Sequence, residues 1–150
     1  MEKFEPIIVA FCCHYCAYTA ADMAGSMRLT YPSGVKIIRV PCSGKVDPLH
    51  VMRALQEGAD GVLIAGCLEG DCHFKNGNVK AAKRIGYLKK LLNEIGIDES
   101  RVAMIRLSAG MGKQFADRVS AFADEIRKLE RRPPIPNQEA DRIASEVSIN

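Results

Sequence analysis

The segment GADGVLIAGCLEGDC, from Gly58 to Cys72, decides the fold. GADG reads as a helix stop followed by a strand entry, and GVLIA (Gly61–Ala65) is a short continuous apolar run. Such a run between turn residues is the pattern of a strand buried on both faces. Helices on either side of it in sequence would provide that cover. Pro48 opens a short one, at the helix position where proline is tolerated, and Gly58 ends it. Downstream, Asn78 to Ile95 carries Val79, Ala82, Ile85, Leu88, Leu92 and Ile95 at helical spacing.

The alternation extends outward in both directions. Ile7 to Cys12 is an apolar, β-branched run entered through Pro6, and Cys16 to Leu29 reads as a helix whose small residues (Ala17, Ala20, Ala21, Ala24, Gly25) allow close packing. YPSG (Tyr31–Gly34) is a turn into a second strand, Val35–Val40, closed by Pro41. Val102–Leu107 is a fourth strand, and Lys113–Leu129 a helix with Phe115, Val119, Phe122, Ile126 and Leu129 on one stripe. Strict alternation predicts an α/β fold, a small three-layer sandwich around a four-stranded, mainly parallel sheet in flavodoxin-like order. Residues 1–130 are expected to form this domain. The remainder, RRPPIPNQEADRIASEVSIN (Arg131–Asn150), begins with prolines that break the helix, followed by a weak amphipathic pattern at Ile143 and Val147. It is expected to be a Pro-rich C-terminal arm or tail, either disordered or ordered against a partner.

With 150 residues, 47% of them hydrophobic, the chain can bury a core without cysteine staples. A net charge of +3, with no basic stripe interleaved with aromatics, argues against nucleic acid as a partner. Lys80, Lys83, Arg84, Lys89 and Lys90 form a basic helix face, read as solvated or as facing an acidic protein. No apolar stretch approaches the roughly 20 residues of a membrane span. The acidic N-terminus (Glu2, Glu5) lacks the basic start of a signal peptide. The cytoplasm is therefore the expected compartment, and the six cysteines are expected to be reduced thiols used for chemistry.

Cys12 and Cys13 end the first strand, Cys16 opens the next helix, Cys42 follows the second strand, and Cys67 and Cys72 follow the third. Parallel strands end on one edge, where such sheets bind ligands, so three distant segments should bring their thiols together. Cys12 continues the strand into the core and is read as packing. The pair Cys13-His14-Tyr15-Cys16 has CxxC spacing before a helix, which fits a thioredoxin-like dithiol oxidoreductase but leaves Cys42, Cys67 and Cys72 unexplained. Four thiolates suit tetrahedral zinc or an iron–sulfur cluster, and spacing alone does not separate the two. His14 and His73 are read as outer or surface residues, and His50 as a surface helix residue. Asp47, Glu69 and Asp71 are read as turn residues. AGMGKQ (Ala109–Gln114) lacks the first glycine and the Ser/Thr of a phosphate loop and is a turn into a helix.

Taken together, FCCHYC, VPCSGKVDP and GADGVLIAGCLEGDCHFKNGN resemble the delta subunit of methyl-viologen-reducing hydrogenase over roughly Pro6 to Lys128. The resemblance implies a [2Fe–2S] electron-transfer subunit with no catalytic site of its own. It would relay electrons from a hydrogenase or formate dehydrogenase to the flavin-containing subunit of heterodisulfide reductase, in methanogenic metabolism that bifurcates electrons at that flavin. The family's motif cysteines fall on Cys13, Cys16, Cys42, Cys67 and Cys72, five thiols for a cluster that takes four, with Cys42 the marginal choice as spare. His14-Tyr15 stands where the family often has Asn-Trp, a departure expected to alter hydrogen bonding to the sulfurs. Backbone N–H groups around Gly44, Gly66 and Gly70 are the expected donors to cluster sulfur.

Overall fold

Pro6 leads into the first of four strands, β1 (Ile8–Cys13), β2 (Val35–Val40), β3 (Gly61–Gly66) and β4 (Val102–Arg106). They form one sheet in the order β2-β1-β3-β4, with every neighbouring pair parallel. The computed structural model describes residues 4–68, 70, 72, 76–130, 135 and 137–149. β3 lies between β1 and β4 and is buried at all six positions, which is why its sequence is continuously apolar. β2 is an edge strand and alternates, with Lys36 and Arg39 exposed.

Helices cover both faces. On one side α1 (Ala17–Ser26) and α4 (Gly112–Leu129) pack on Ile8, Ala10, Leu63 and Ala65. Ala17, Ala20, Ala21 and Ala24 are all buried, and this small-residue face lets α1 lie close to the sheet and to α4. The approach is tight enough that a Cβ on Gly112 would stand 2.9 Å from the Met23 side chain. On the other side α2 (Pro48–Gln56) and α3 (Gly77–Glu94) pack on Phe11, Val62 and Ile64. Asp47 caps α2 by accepting from Leu49 N at 2.8 Å, while His50 Nδ1 accepts from Asp47 N at 3.2 Å. His50 is thus an exposed capping residue. Among the described residues no helix is long and apolar enough to cross a membrane.

Three details depart from the sequence expectations. The first helix starts at Ala17, with Cys16 as its N-cap, and ends at Ser26 rather than Leu29. On α3 the buried stripe runs Asn78, Ala81, Ile85, Leu88 and Leu92, and Val79 is 37% exposed. The helix is rotated so that a buried polar side chain, not a valine, faces inward at its first turn. The third departure is Arg101, which is 3% exposed and unnoticed in the sequence. A buried cation must be fully hydrogen-bonded. Its guanidinium donates to the carbonyls of Asp60 (3.0 Å), Leu129 (3.2 Å) and Glu130 (2.6 Å). The Asp60 carboxylate accepts from Ile7 N at 2.8 Å. Together they tie the strand entries to the end of α4.

Beyond the prolines, α5 (Asn137–Ile149) lies against α2 and α3. Ile135, Ala140, Ile143, Ala144 and Val147 are buried there, and Gln56 Nε2 donates to Asn137 Oδ1 at 2.7 Å. Arg131–Pro134 and Pro136 lie outside the described residues. Ile143 is fully buried, so Ile143→Ala is expected to lower unfolding free energy by about 2–5 kcal/mol, read as a lower midpoint in urea. An unchanged midpoint would mean that α5 does not hold this position in solution.

Candidate metal centre

Cys13 is the last residue of β1, and Cys16 follows it across a two-residue turn. Cys42 comes two residues after β2 and opens a 3₁₀ turn, Ser43–Lys45. Cys67 follows β3 directly, and Cys72 lies five residues further on. The register pairs Cys13 with Val40 and Cys12 with Ala65, so β1, β2 and β3 end level and the motif thiols gather at the carboxyl edge.

There the five sulfurs form two groups. Those of Cys13, Cys16 and Cys67 all lie within 4.8 Å of one another, and Cys13 Sγ and Cys67 Sγ are 3.8 Å apart. Cys42 Sγ and Cys72 Sγ are likewise 3.8 Å apart. The groups are neighbours, since Cys13 Sγ lies 3.9 Å from the carbonyl of Pro41, the residue preceding Cys42. All six cysteines are thiols, with no disulfide among them. Cys12 stands apart in role, fully buried in the alanine-rich core, with its thiol pushed up to about 12 by burial.

The opening of α3 shapes this edge. Gly44 N donates to Cys42 Sγ at 3.4 Å. A Cβ on Gly77 would collide with that same sulfur, and a Cβ on Gly44 would stand 2.8 Å from the Gly77 backbone. Two backbones therefore meet where only glycine fits. Arg84 Nη1 donates to the Gly44 carbonyl at 2.7 Å and fixes the turn from α3. Asn78, fully buried, donates from Nδ2 to the carbonyls of Cys67 (3.1 Å) and Leu68 (2.9 Å) and holds the exit of β3. Sequence reasoning missed Gly77, Asn78 and Arg84. The only signal was Gly77-Asn78 at the start of a helix beside a cysteine loop. Of the glycines expected to donate to sulfur, Gly44 does so. A Cβ on Gly66 would stand 2.8 Å from the Ser43 Oγ, and Gly70 has a φ of +86°.

The thiols are electrostatically unequal. The Cys16 thiol donates toward Cys13 and pulls Cys13 down to about 5; burial opposes this, and the N–H groups of Tyr15 and Cys16 and the Cys67 thiol assist. Cys16 is correspondingly raised by the same contact and by burial. Burial raises Cys42, and the Gly44 N–H partly offsets it. Three thiols sharing protons in this way are ready to exchange them for a metal ion.

Access and ligand count discriminate among the chemistries. Dithiol exchange needs an attacking sulfur that a substrate can reach, yet Cys13 and Cys16 are 1% and 5% exposed. A structural zinc needs four donors around one ion. Among the described residues no fourth Cys, His, Asp or Glu joins the group of three within 4.8 Å. His14 is exposed, packs edge-on against Tyr15 with ring centroids 5.0 Å apart, and does not belong to the group of donor atoms within 4.8 Å. His73, Glu69 and Asp71 lie outside the described residues. The five thiols fit a cluster of more than one metal.

Gly77→Ala is expected to reduce the metal bound per chain, measured by elemental analysis, without loss of helical circular dichroism. Asn78→Ala leaves two carbonyls without their partner and should lower unfolding free energy by about 1–3 kcal/mol. A Gly77→Ala protein with full metal content would show that the close approach at Cys42 is not required.

The model of the methyl-viologen-reducing hydrogenase delta subunit family matches residues 8–130. The iron-sulfur subunit of the F420-non-reducing hydrogenase of Archaeoglobus profundus is 51% identical over 128 residues, which is 85% of this chain and 93% of that protein. The iron-sulfur subunit of the vhc F420-non-reducing hydrogenase of Methanococcus voltae is 44% identical, over 85% of this chain and 89% of that one. A third relative is far longer. It is a subunit of the ferredoxin/F420H2-dependent CoB-CoM heterodisulfide reductase of Methanosarcina acetivorans, 42% identical over 83% of this chain but only 16% of its own length. With the family model spanning both sulfur groups and every strand, the chain belongs to the methyl-viologen-reducing hydrogenase delta subunit family.

Proposed function

We propose that this chain is a cytoplasmic [2Fe–2S] electron-transfer subunit. It relays electrons from a hydrogenase or formate dehydrogenase to the flavin-containing subunit of a heterodisulfide reductase complex. The observation that carries the proposal is the gathering of five thiols, in a group of three and a pair, at one edge of a fold that has its own core. Relatives named as iron-sulfur subunits support the cofactor class. The relative that carries a matching segment inside a heterodisulfide reductase polypeptide supports the partner, because there both occupy one chain.

An iron–sulfur cluster bound at these cysteines supplies one-electron oxidation and reduction. The protein contributes the surroundings. Burial of Cys13, Cys16, Cys42 and Cys67 keeps water from the sulfurs, and the Gly44 N–H at Cys42 Sγ favours the more negative, reduced state. Beside Cys13 and Pro41, His14, Tyr15, Arg39, Val40 and Pro41 line a shallow depression of about 530 Å³, with Tyr15 46% exposed. This depression adjoins the Cys13 loop and offers a face for a redox partner. Residues 1–130 would be the iron–sulfur domain. In the arm, 131–150, α5 buries its apolar stripe against α2 and α3, leaving the charged face of Asp141 and Arg142 for docking.

Protein purified without oxygen is expected to be coloured, to bleach with dithionite, and to contain about two irons per chain. A colourless protein holding one zinc would replace this with a zinc-stabilised interaction module. A metal-free protein that resists reconstitution would return the Cys13–Cys16 dithiol to consideration.

A further inference from the structure

The exposed face of α3 is built differently from those of α4 and α5. On α4, Lys113 pairs with Asp117, Arg127 with Asp124 and Lys128 with Glu125, and on α5 Arg142 pairs with both Glu139 and Glu146. By contrast α3 carries Lys80, Lys83, Arg84, Lys89 and Lys90 against a single acid, Glu94. Its lysines form no ion pair among the described residues. Lys80 and Arg84 stand one turn apart as like charges, an arrangement that weakens a helix.

Two further features share this face. Val79 and Tyr87 are each 37% exposed, and Lys83 lies between them, four residues from each. Gly86 is exposed beside Lys83 and Lys90. Glycine is a poor residue for the middle of a helix. No close approach inside the protein calls for it here, since a Cβ on Gly86 would meet no other group within 4 Å beyond the adjacent helical backbone. The gap opens outward, where glycine lets another molecule come near.

The chemistry of the face selects its partner. Ile85, Leu88 and Leu92 of α3 are turned into the core, which leaves no apolar face to enter a lipid bilayer. Arginine reads phosphate better than lysine does, and Arg84, the one arginine of the helix, is engaged with the Gly44 carbonyl. Unpaired lysines around an exposed valine and tyrosine instead match a protein surface with carboxylates around a small apolar contact.

We propose that Val79, Lys80, Lys83, Gly86, Tyr87 and Lys90 form a docking surface for an acidic face of another protein. Its carboxylates pair with the lysines, and part of it lies over Gly86. The surface begins two residues after Gly77, which abuts the Cys42 sulfur, so its near end adjoins the thiol edge. It involves no metal and stands whether or not the thiols hold iron.

The test uses the complex that the full-length, affinity-tagged chain forms in its own host cell. A carbodiimide joins an amine to a carboxylate only where the two are in contact. Treatment of the purified complex, followed by peptide mass spectrometry, is expected to link Lys80, Lys83 or Lys90 to an aspartate or glutamate of a second chain. The double variant Lys83→Glu/Lys90→Glu should recover about tenfold less of that chain, while Lys113→Glu/Lys128→Glu on α4 should recover as much as the wild type. Gly86→Leu should keep or raise the thermal midpoint of the tagged chain and still lose the second chain. If it lowers the midpoint, the cross-links and the lysine variants decide. Cross-links that avoid α3, or full recovery of the second chain by Lys83→Glu/Lys90→Glu or by a folded Gly86→Leu, overturn the proposal. Loss of the second chain only where metal content per chain also falls overturns it too, because the thiol site would then be what the partner needs. A wild-type chain that purifies with no second protein, or with nucleic acid or lipid alone, overturns it as well.

Discussion

The level register of three parallel strands is the constraint on which the site depends. Ile8 is paired with both Val35 and Gly61, and β1, β2 and β3 each have six residues. A parallel sheet places all chain exits on one edge, and equal lengths from a common start bring these exits to one height. A slip of one residue in β2 would reverse the faces of Val35 and Ile37 and carry Cys42 away from its partner. The hydrophobic burial that fixes the register therefore also positions the sulfurs. Metal chemistry here is a consequence of sheet packing.

Register brings the loops together, and the first turn of α3 finishes their shape. Gly77 yields space to the Cys42 sulfur, Asn78 holds the carbonyls after β3, and Arg84 holds the turn after β2. One helix thus serves two of the three thiol-bearing loops from a single direction. The third, Cys13 to Cys16, is secured by β1 and by its passage into α1, with His14 N donating to the Val40 carbonyl at 2.8 Å.

How much of this could be seen in the sequence follows from the range of each interaction. Gly61–Ala65 announces a doubly covered strand because burial on both faces leaves a local mark, and the alternation of elements then limits the topology to very few choices. The five thiols were visible for a similar reason, since each lies at or just beyond the end of one of three recognisable strands. Their division into three and two was not, because it depends on loop conformations after β2 and β3 that spacing does not encode. The phase of α3 was misplaced at Val79 because a buried asparagine there satisfies carbonyls from another loop, and periodicity counts only apolar residues. Arg101 gave no signal. A lone arginine in a charged turn looks solvated until the end of α4 is known to lie beside it. For α5, Ile143 and Val147 marked an apolar stripe, but nothing local told what it would cover.

The two rims of the sheet differ. At the strand entries, Arg101 and Asp60 join the loop before β3, the chain before β1 and the end of α4 through hydrogen bonds that need no added component. At the strand exits, Asn78 and Arg84 hold the loops by hydrogen bonds as well, and the sulfurs face one another between those loops. The sheet thus has one end given over to holding the fold and another that offers donor atoms, and the two are separated by the full length of the strands.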